Sequence, residues 1–248
     1  MPSLSGVLSN WPRSKGLLVD VASAPSNFAF NGLAALTLLD SATGSPEAEQ
    51  ILDSLGAVSG ESLPADAVMS QNNSLRGWSW LPSTFSWVEP TALCTLAFKK
   101  AAQKESPKRR PERVAEASRM LVDRASSSGG WNYGNRMVFG KALAPQVPTT
   151  ALALLALQDR REDEAVRKGL GWLRSHATTE RSLLALGLAA TALEILSEPA
   201  DEPADHLQAI LASRPVESHG LLGLGIALYA LTAHSERYSA FRLRAVTS

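Results

Sequence analysis

Few residues in this chain combine a reactive side chain with a telling position. Glu89 stands in "WVEPTALCTLAF", directly before Pro90, where a helix would start. A carboxyl there could work as a general acid or base, or simply cap the helix. The helix dipole and the free N–H groups favour its charged form, so the expectation is an ionised carboxylate capping the helix that Pro90 begins. His219 opens another helical run, "HGLLGLGIALYALTA", and Cys94 is the only cysteine. Zinc needs at least three protein ligands that converge. Cys94 has no paired aspartate and belongs to a different helix from His219, so neither a metal nor a cofactor is expected, and Cys94 reads as a small buried hydrophobe. Asp201, Glu202, Asp205 and His206 crowd one helix start, but neighbours on a helix point in different directions and read as a solvated, acid-biased terminus. The run from Lys99 to Arg113 reads as a solvated basic loop, with an electrostatic landing strip for an anionic partner as the sharper alternative. No P-loop, dinucleotide fingerprint or Ser/His/Asp order is present.

The elements that position these groups fall into two kinds. The first is amphipathic. In "SPEAEQILDSL", Ser45 is a natural N-cap and Pro46 suits the first helical position. Ala48, Ile51, Leu52 and Leu55 then form one apolar stripe. The pattern returns in "PERVAEASRMLVDRA", "DEAVRKGLGWLRS" and "DHLQAILAS". The second kind is apolar nearly all round and rich in alanine and glycine, with starts expected near 28, 89, 148, 181 and 218. Such helices must be covered on every side, and their small residues permit close approach. The two kinds alternate along the chain, which predicts an all-α fold of stacked helical hairpins, either an open solenoid or a closed ring.

The joints between hairpins repeat as well. Gly77-Trp78-Ser79-Trp80 precedes Thr91-Ala92-Leu93, and Gly130-Trp131-Asn132-Tyr133 precedes Thr150-Ala151-Leu152, with about six extra residues in the second copy. Glycine permits a tight turn and the indole can plug the gap between hairpins, so each joint is expected to seal one hairpin to the next.

These residues resemble a known family. "QNNSLRGWSW", followed by "VEPTALCTLAF" or "VPTTALALLALQ", is similar to the QW repeats of squalene and hopene cyclases and of protein prenyltransferase β subunits. The resemblance spans roughly residues 26 to 235 of a single domain covering 1–248. It implies an α/α toroid of about five hairpins, with inner helices around a central cavity and outer helices around those. A ring this short can be open, leaving an apolar flank for a second chain or domain to cover. Arg124 stands where the second copy would carry the glutamine. In the cyclases the acid is the middle aspartate of a DxDD motif, which falls on Trp87-Val88-Glu89-Pro90 and puts Glu89 in the acid's place without its flanking aspartates. The prenyltransferase zinc triad is incomplete, although His219 resembles that family's histidine position.

The resemblance thus implies a hydrophobic ligand, isoprenoid or lipid-like, held in the cavity by candidate contacts Trp78, Trp80, Phe85, Trp87, Trp131, Tyr133, Phe139 and His219. The alternatives are a catalytically inert module for protein–protein interaction and a divergent cyclase with Glu89 as acid. Lysine plus arginine equals aspartate plus glutamate at 24 each, which argues against nucleic acid as partner. The most apolar runs reach only about 15 residues, short of a membrane span. The N-terminus carries no signal-peptide pattern. With one cysteine no intrachain disulfide can form, so a reducing, cytoplasmic setting is expected.

Overall fold

The structure is a computed structural model that describes residues 4–21, 24–40, 45–64, 71–104, 110–213, 215, 218–232 and 240–244. Among the described residues the chain is all-α, apart from two hairpins whose strands are two residues long. A short helix α1 (Leu4–Ser9) and the hairpin β1 (Arg13–Ser14) and β2 (Leu17–Leu18) form an N-terminal arm. Four pairs follow: α2 (Phe28–Asp40) with α3 (Pro46–Gly56), α4 (Val88–Gln103) with α5 (Pro111–Asp123), α6 (Val147–Ala156) with α7 (Glu164–Ala177), and α8 (Leu183–Ile195) with α9 (Asp201–Ser213). Helix α10 (Leu221–Thr232) ends the series, and β3 (Met137–Val138) with β4 (Lys141–Ala142) lies between α5 and α6.

The even-numbered helices pack on one another in chain order, α2 on α4, α4 on α6, α6 on α8 and α8 on α10. Helices α3, α5, α7 and α9 each pack back on the helix before them and form an outer layer. Their amphipathic stripes decide which face turns in. In α3 the buried residues are the expected Ala48, Ile51, Leu52 and Leu55. Ser45 caps that helix by accepting from the Ala48 N–H at 3.4 Å.

Small residues set the spacing of the inner layer. A Cβ on Gly32 of α2 would lie 3.1 Å from the backbone nitrogen of Cys94 in α4, and one on Gly187 of α8 would lie 3.0 Å from the carbonyl oxygen of Ile226 in α10. Backbones this close leave no room for a larger residue. Helix α10 departs from the expectation that every apolar helix is covered. Only Ile226, Ala227 and Ala230 are buried in it, while Leu221 is 88% exposed. The physical reason is positional, since no outer helix follows α10 among the described residues.

The two Gly-Trp joints have one design. The Thr91 hydroxyl accepts from the Trp78 N–H at 2.9 Å and donates to the Trp78 carbonyl at 3.2 Å. Thr150 does the same for Trp131 at 2.9 and 3.2 Å. Each indole N–H donates to a carbonyl in the last turn of the preceding outer helix, Leu55 for Trp78 at 2.9 Å and Leu121 for Trp131 at 2.7 Å. The residue before each inner helix then donates its N–H to the same tryptophan carbonyl, Trp87 to Trp78 and Gln146 to Trp131. The extra residues in the second copy form the β3–β4 hairpin. The joints are also tied to each other, because Gln71 donates to Asn135 at 2.6 Å and Arg124 to the Asn72 carbonyl at 3.3 Å.

A Cβ on Gly77 would lie 2.2 Å from the Thr91 hydroxyl, so Gly77→Ala must break the clamp. We expect it to cost about 2 kcal/mol or more in urea unfolding, and Thr91→Val about 1–3 kcal/mol through the unpaired Trp78 N–H. Gly225, where an added Cβ meets nothing within 4 Å, is the control. Gly225→Ala should be neutral or stabilise by roughly 0.5–1 kcal/mol. Equal losses at Gly77 and Gly225 would show that the clamp is not what fixes the joint.

Candidate functional site

One cavity draws its wall from all five inner helices, and each contributes two positions one turn apart. These are Ala29 and Leu33, Glu89 and Leu93, Pro148 and Leu152, Leu184 and Leu188, and Leu222 and Ile226. Trp80 from the first joint, Phe241 from the C-terminal segment and the exposed Phe30 complete the lining, which is open to solvent on one side. The cavity holds about 90 Å³. That is less than the roughly 150 Å³ of apolar space that accommodates a benzene ring.

At the first of the two positions four helices place Ala29, Pro148, Leu184 and Leu222, all apolar, and α4 places Glu89. Glu89 is the single ionisable group in the described wall. Its Oε1 accepts from the Thr149 hydroxyl of α6 at 3.0 Å. Thr149 is fully buried. Burial raises the Glu89 pKa above the ordinary carboxylate value, and the Thr149 hydrogen bond opposes this with a smaller effect. The expected cap therefore does not form. The N-cap of α4 is Trp87, with no side-chain cap bond, and the Glu89 carboxyl points to Thr149 instead.

The other sequence candidates divide by location. Trp80 is in the cavity wall. Trp78 and Trp131 are fully buried within the core as the plugs of their joints. Trp78 stacks on Phe98 with ring centroids 5.5 Å apart, and the Arg113 guanidinium lies 4.4 Å over the Trp78 ring. Trp131 fits against Gly169 of α7, where an added Cβ would lie 2.4 Å from the indole. Trp87 and Phe85 pack on one another at 4.8 Å outside the central wall. Tyr133 is exposed and serves through its carbonyl, which accepts from the Val88 N–H at 2.8 Å. Phe139 is exposed in the β3–β4 turn. His219 lies just before α10, its Nε2 buried without a hydrogen-bond partner. Among the described residues no three His, Cys, Asp or Glu side chains gather as metal ligands. Cys94 is buried and its thiol pKa is pushed up by desolvation.

The described cations of the basic run are all engaged within the chain, Lys99 and Lys100 from nearly buried positions and Lys104 and Arg110 from exposed ones. Lys99 binds Asp159 at 2.5 Å and Lys100 binds Asp40 at 3.0 Å. Lys104 donates to the Leu39 carbonyl, Arg110 pairs with Asp53 at 2.9 Å and Arg113 with Glu116 at 3.1 Å. The part of the proposed landing strip at 105–109 lies outside the described residues.

A second space adjoins the first. A groove of about 520 Å³ lies between α2 and α10 and shares Leu33, Leu222, Ile226 and Phe241 with the cavity wall. Its size falls in the range that takes small-molecule ligands. Sequence reading missed Phe241 and Thr149. Thr149 had a usable signal, since it sits one residue before the clamp threonine Thr150 and hence on the face turned toward α4.

The raised Glu89 pKa has a consequence for stability. Between the unfolded value near 4.5 and the higher folded value, the folded chain binds more protons, so stability falls as pH rises through that window. Below the window both states are protonated and the carboxyl carries no penalty. Glu89→Gln removes the titration, so its stability relative to wild type should climb with pH from about 4.5 and then level off above the folded value. Urea unfolding from pH 4 to 8 measures this, and a flat difference would mean that the carboxyl is not desolvated.

The sequence matches no protein-family model and no curated protein.

Proposed function

We propose that the chain is a small α/α toroid that binds one hydrophobic molecule, isoprenoid or lipid-like, with its polar end at Glu89. The observation that carries this reading is the break in the repeat. Five helices turn the same two positions to one cavity, four of them keep the first position apolar, and α4 puts a carboxyl there with a threonine to hold it. A structural core gains nothing from such a group, because burying it costs free energy that an apolar residue would not. Departures of this kind are expected where a site was kept at the expense of packing. The central space is too small for a whole chain, so the body of the ligand would lie in the groove between α2 and α10, which shares four wall residues with it.

Two other readings use specific features. An interaction module is favoured by α10, whose Leu221, Leu222 and Leu228 are exposed on one apolar helix. A divergent cyclase is favoured by the place of Glu89, a carboxyl in an otherwise apolar wall whose pKa burial shifts upward, the direction an acid catalyst needs.

Native mass spectrometry of protein purified from its own host, followed by solvent extraction, separates the three. An isoprenoid or lipid at about one per chain supports the ligand reading, and Ile226→Trp, which fills the junction of the two spaces, should then reduce its occupancy about tenfold. A stoichiometric polypeptide with no extract overturns it in favour of the module. Conversion of the extracted ligand by wild type but not by Glu89→Gln, with binding retained, would establish the cyclase.

A further inference from the structure

The segment 240–244 makes contacts that the ligand reading does not use. Gln158, just beyond α6, donates from its amide to the Phe241 carbonyl at 2.8 Å and accepts from the Leu243 N–H at 2.9 Å. Gln103, the last residue of α4, donates to the Arg244 carbonyl at 2.8 Å and accepts from the Arg244 N–H at 2.8 Å. The Lys100 ammonium donates to the Arg242 carbonyl at 3.3 Å. These bonds hold the segment across the C-terminal ends of α4 and α6. Phe241 is 3% exposed, meets Tyr229 of α10 edge-on at 5.4 Å, and belongs to the walls of both spaces.

We propose that residues 240–244 are an intramolecular gate, with Phe241 as the partition between the central cavity and the groove. Two features make the segment separable from the helices. Its polar contacts come from side chains at helix ends, so they can be exchanged for water without breaking a helix. Its apolar anchorage is one large side chain, Phe241, flanked by the small buried Ala240 and the half-buried Leu243, while Arg242, paired with Glu194 at 3.8 Å, and Arg244 are exposed. Of the four residues shared by the spaces of about 90 and 520 Å³, Phe241 is the one outside the helices, so its withdrawal would widen the passage between them. A ligand that reaches Glu89 from the groove must therefore compete with the gate. Its apparent dissociation constant is raised by the fraction of time the gate is shut. This coupling rests on the ligand reading, whereas the opening of the segment does not.

The test uses the full chain in two arms. In native-state hydrogen exchange, the Leu243 and Arg244 amides should exchange at least about 100-fold faster than Leu96 in α4, with little dependence on added urea. Gln103→Ala should quicken Arg244, and Gln158→Ala Leu243, by about tenfold more. Exchange of both amides only at the rate of global unfolding overturns the gate. In the second arm farnesol, a C15 alcohol, is titrated into wild type and into the Gln103→Ala/Gln158→Ala double variant. Neither change touches the cavity wall, and the double variant should bind about tenfold more tightly. Equal affinity in the two overturns the gate even if the segment opens. Absence of binding in both removes the ligand reading, and the exchange rates then decide for or against an opening segment on their own.

Discussion

A single threonine hydroxyl, placed between the N–H and the carbonyl of one tryptophan, sets the geometry on which the rest of this molecule depends. At the Thr91 and Thr150 clamps it pins the joint to the inner helix. The indole N–H pins the same tryptophan to a carbonyl at the end of the outer helix. Outer helix, joint and inner helix are thereby locked in one register. That register decides which residue faces the cavity, because the wall position lies two residues before the clamp threonine: Glu89 before Thr91, and Pro148 before Thr150. A joint that slipped by one residue would turn the carboxyl by about 100° around the helix and out of the wall.

The helices were legible because period and punctuation are local. The stripe in α3, its Ser45 cap and the Pro46 start all lie within one short segment, and the structure keeps each of them. The joints were legible as a repeat, and their sealing role follows from glycine beside indole. What could not be read was direction. Trp78 and Trp80 are two residues apart and of one type, yet Trp78 plugs a hairpin while Trp80 lines the cavity. Nor could the state of Glu89 be read. The dipole of α4 is a property of its own segment, whereas the burial that raises the Glu89 pKa and the Thr149 hydroxyl that opposes it come from the packing of helices together. Phe241 carried no signal at all, since its partners Gln158 and Tyr229 reach it only through the fold.

Both arms of the chain are held by the same chemistry. Asn31 of α2 accepts from the Leu18 N–H at 2.8 Å and donates to the Leu18 carbonyl at 3.0 Å, as Gln103 does for Arg244. A primary amide offers a donor and an acceptor side by side, so it can imitate the edge of a neighbouring strand. It does so without charge, which matters because Asn31 and Gln158 are buried. A ladder of further strands would fix the arms more firmly. Side-chain amides at the ends of the arms do this work instead, and that difference separates the arms from the clamped joints.

The two inner helices that form the polar site show how it arises from the repeat. Aligned on their clamp threonines, α4 reads Val88-Glu89-Pro90-Thr91 and α6 reads Val147-Pro148-Thr149-Thr150. Proline and the polar residue have changed places between them. In α4 the proline occupies the position beside the clamp and the carboxyl takes the wall. In α6 the proline takes the wall, and a hydroxyl occupies the position beside the clamp. Because α4 and α6 are neighbours, the exchange brings Glu89 and Thr149 within 3.0 Å of one another. The Thr149 hydroxyl of α6 offsets part of the cost of holding the half-buried Glu89 carboxyl of α4 in this wall. The asymmetry is thus a property of the pair, written in adjacent repeats at positions that the clamps hold in register.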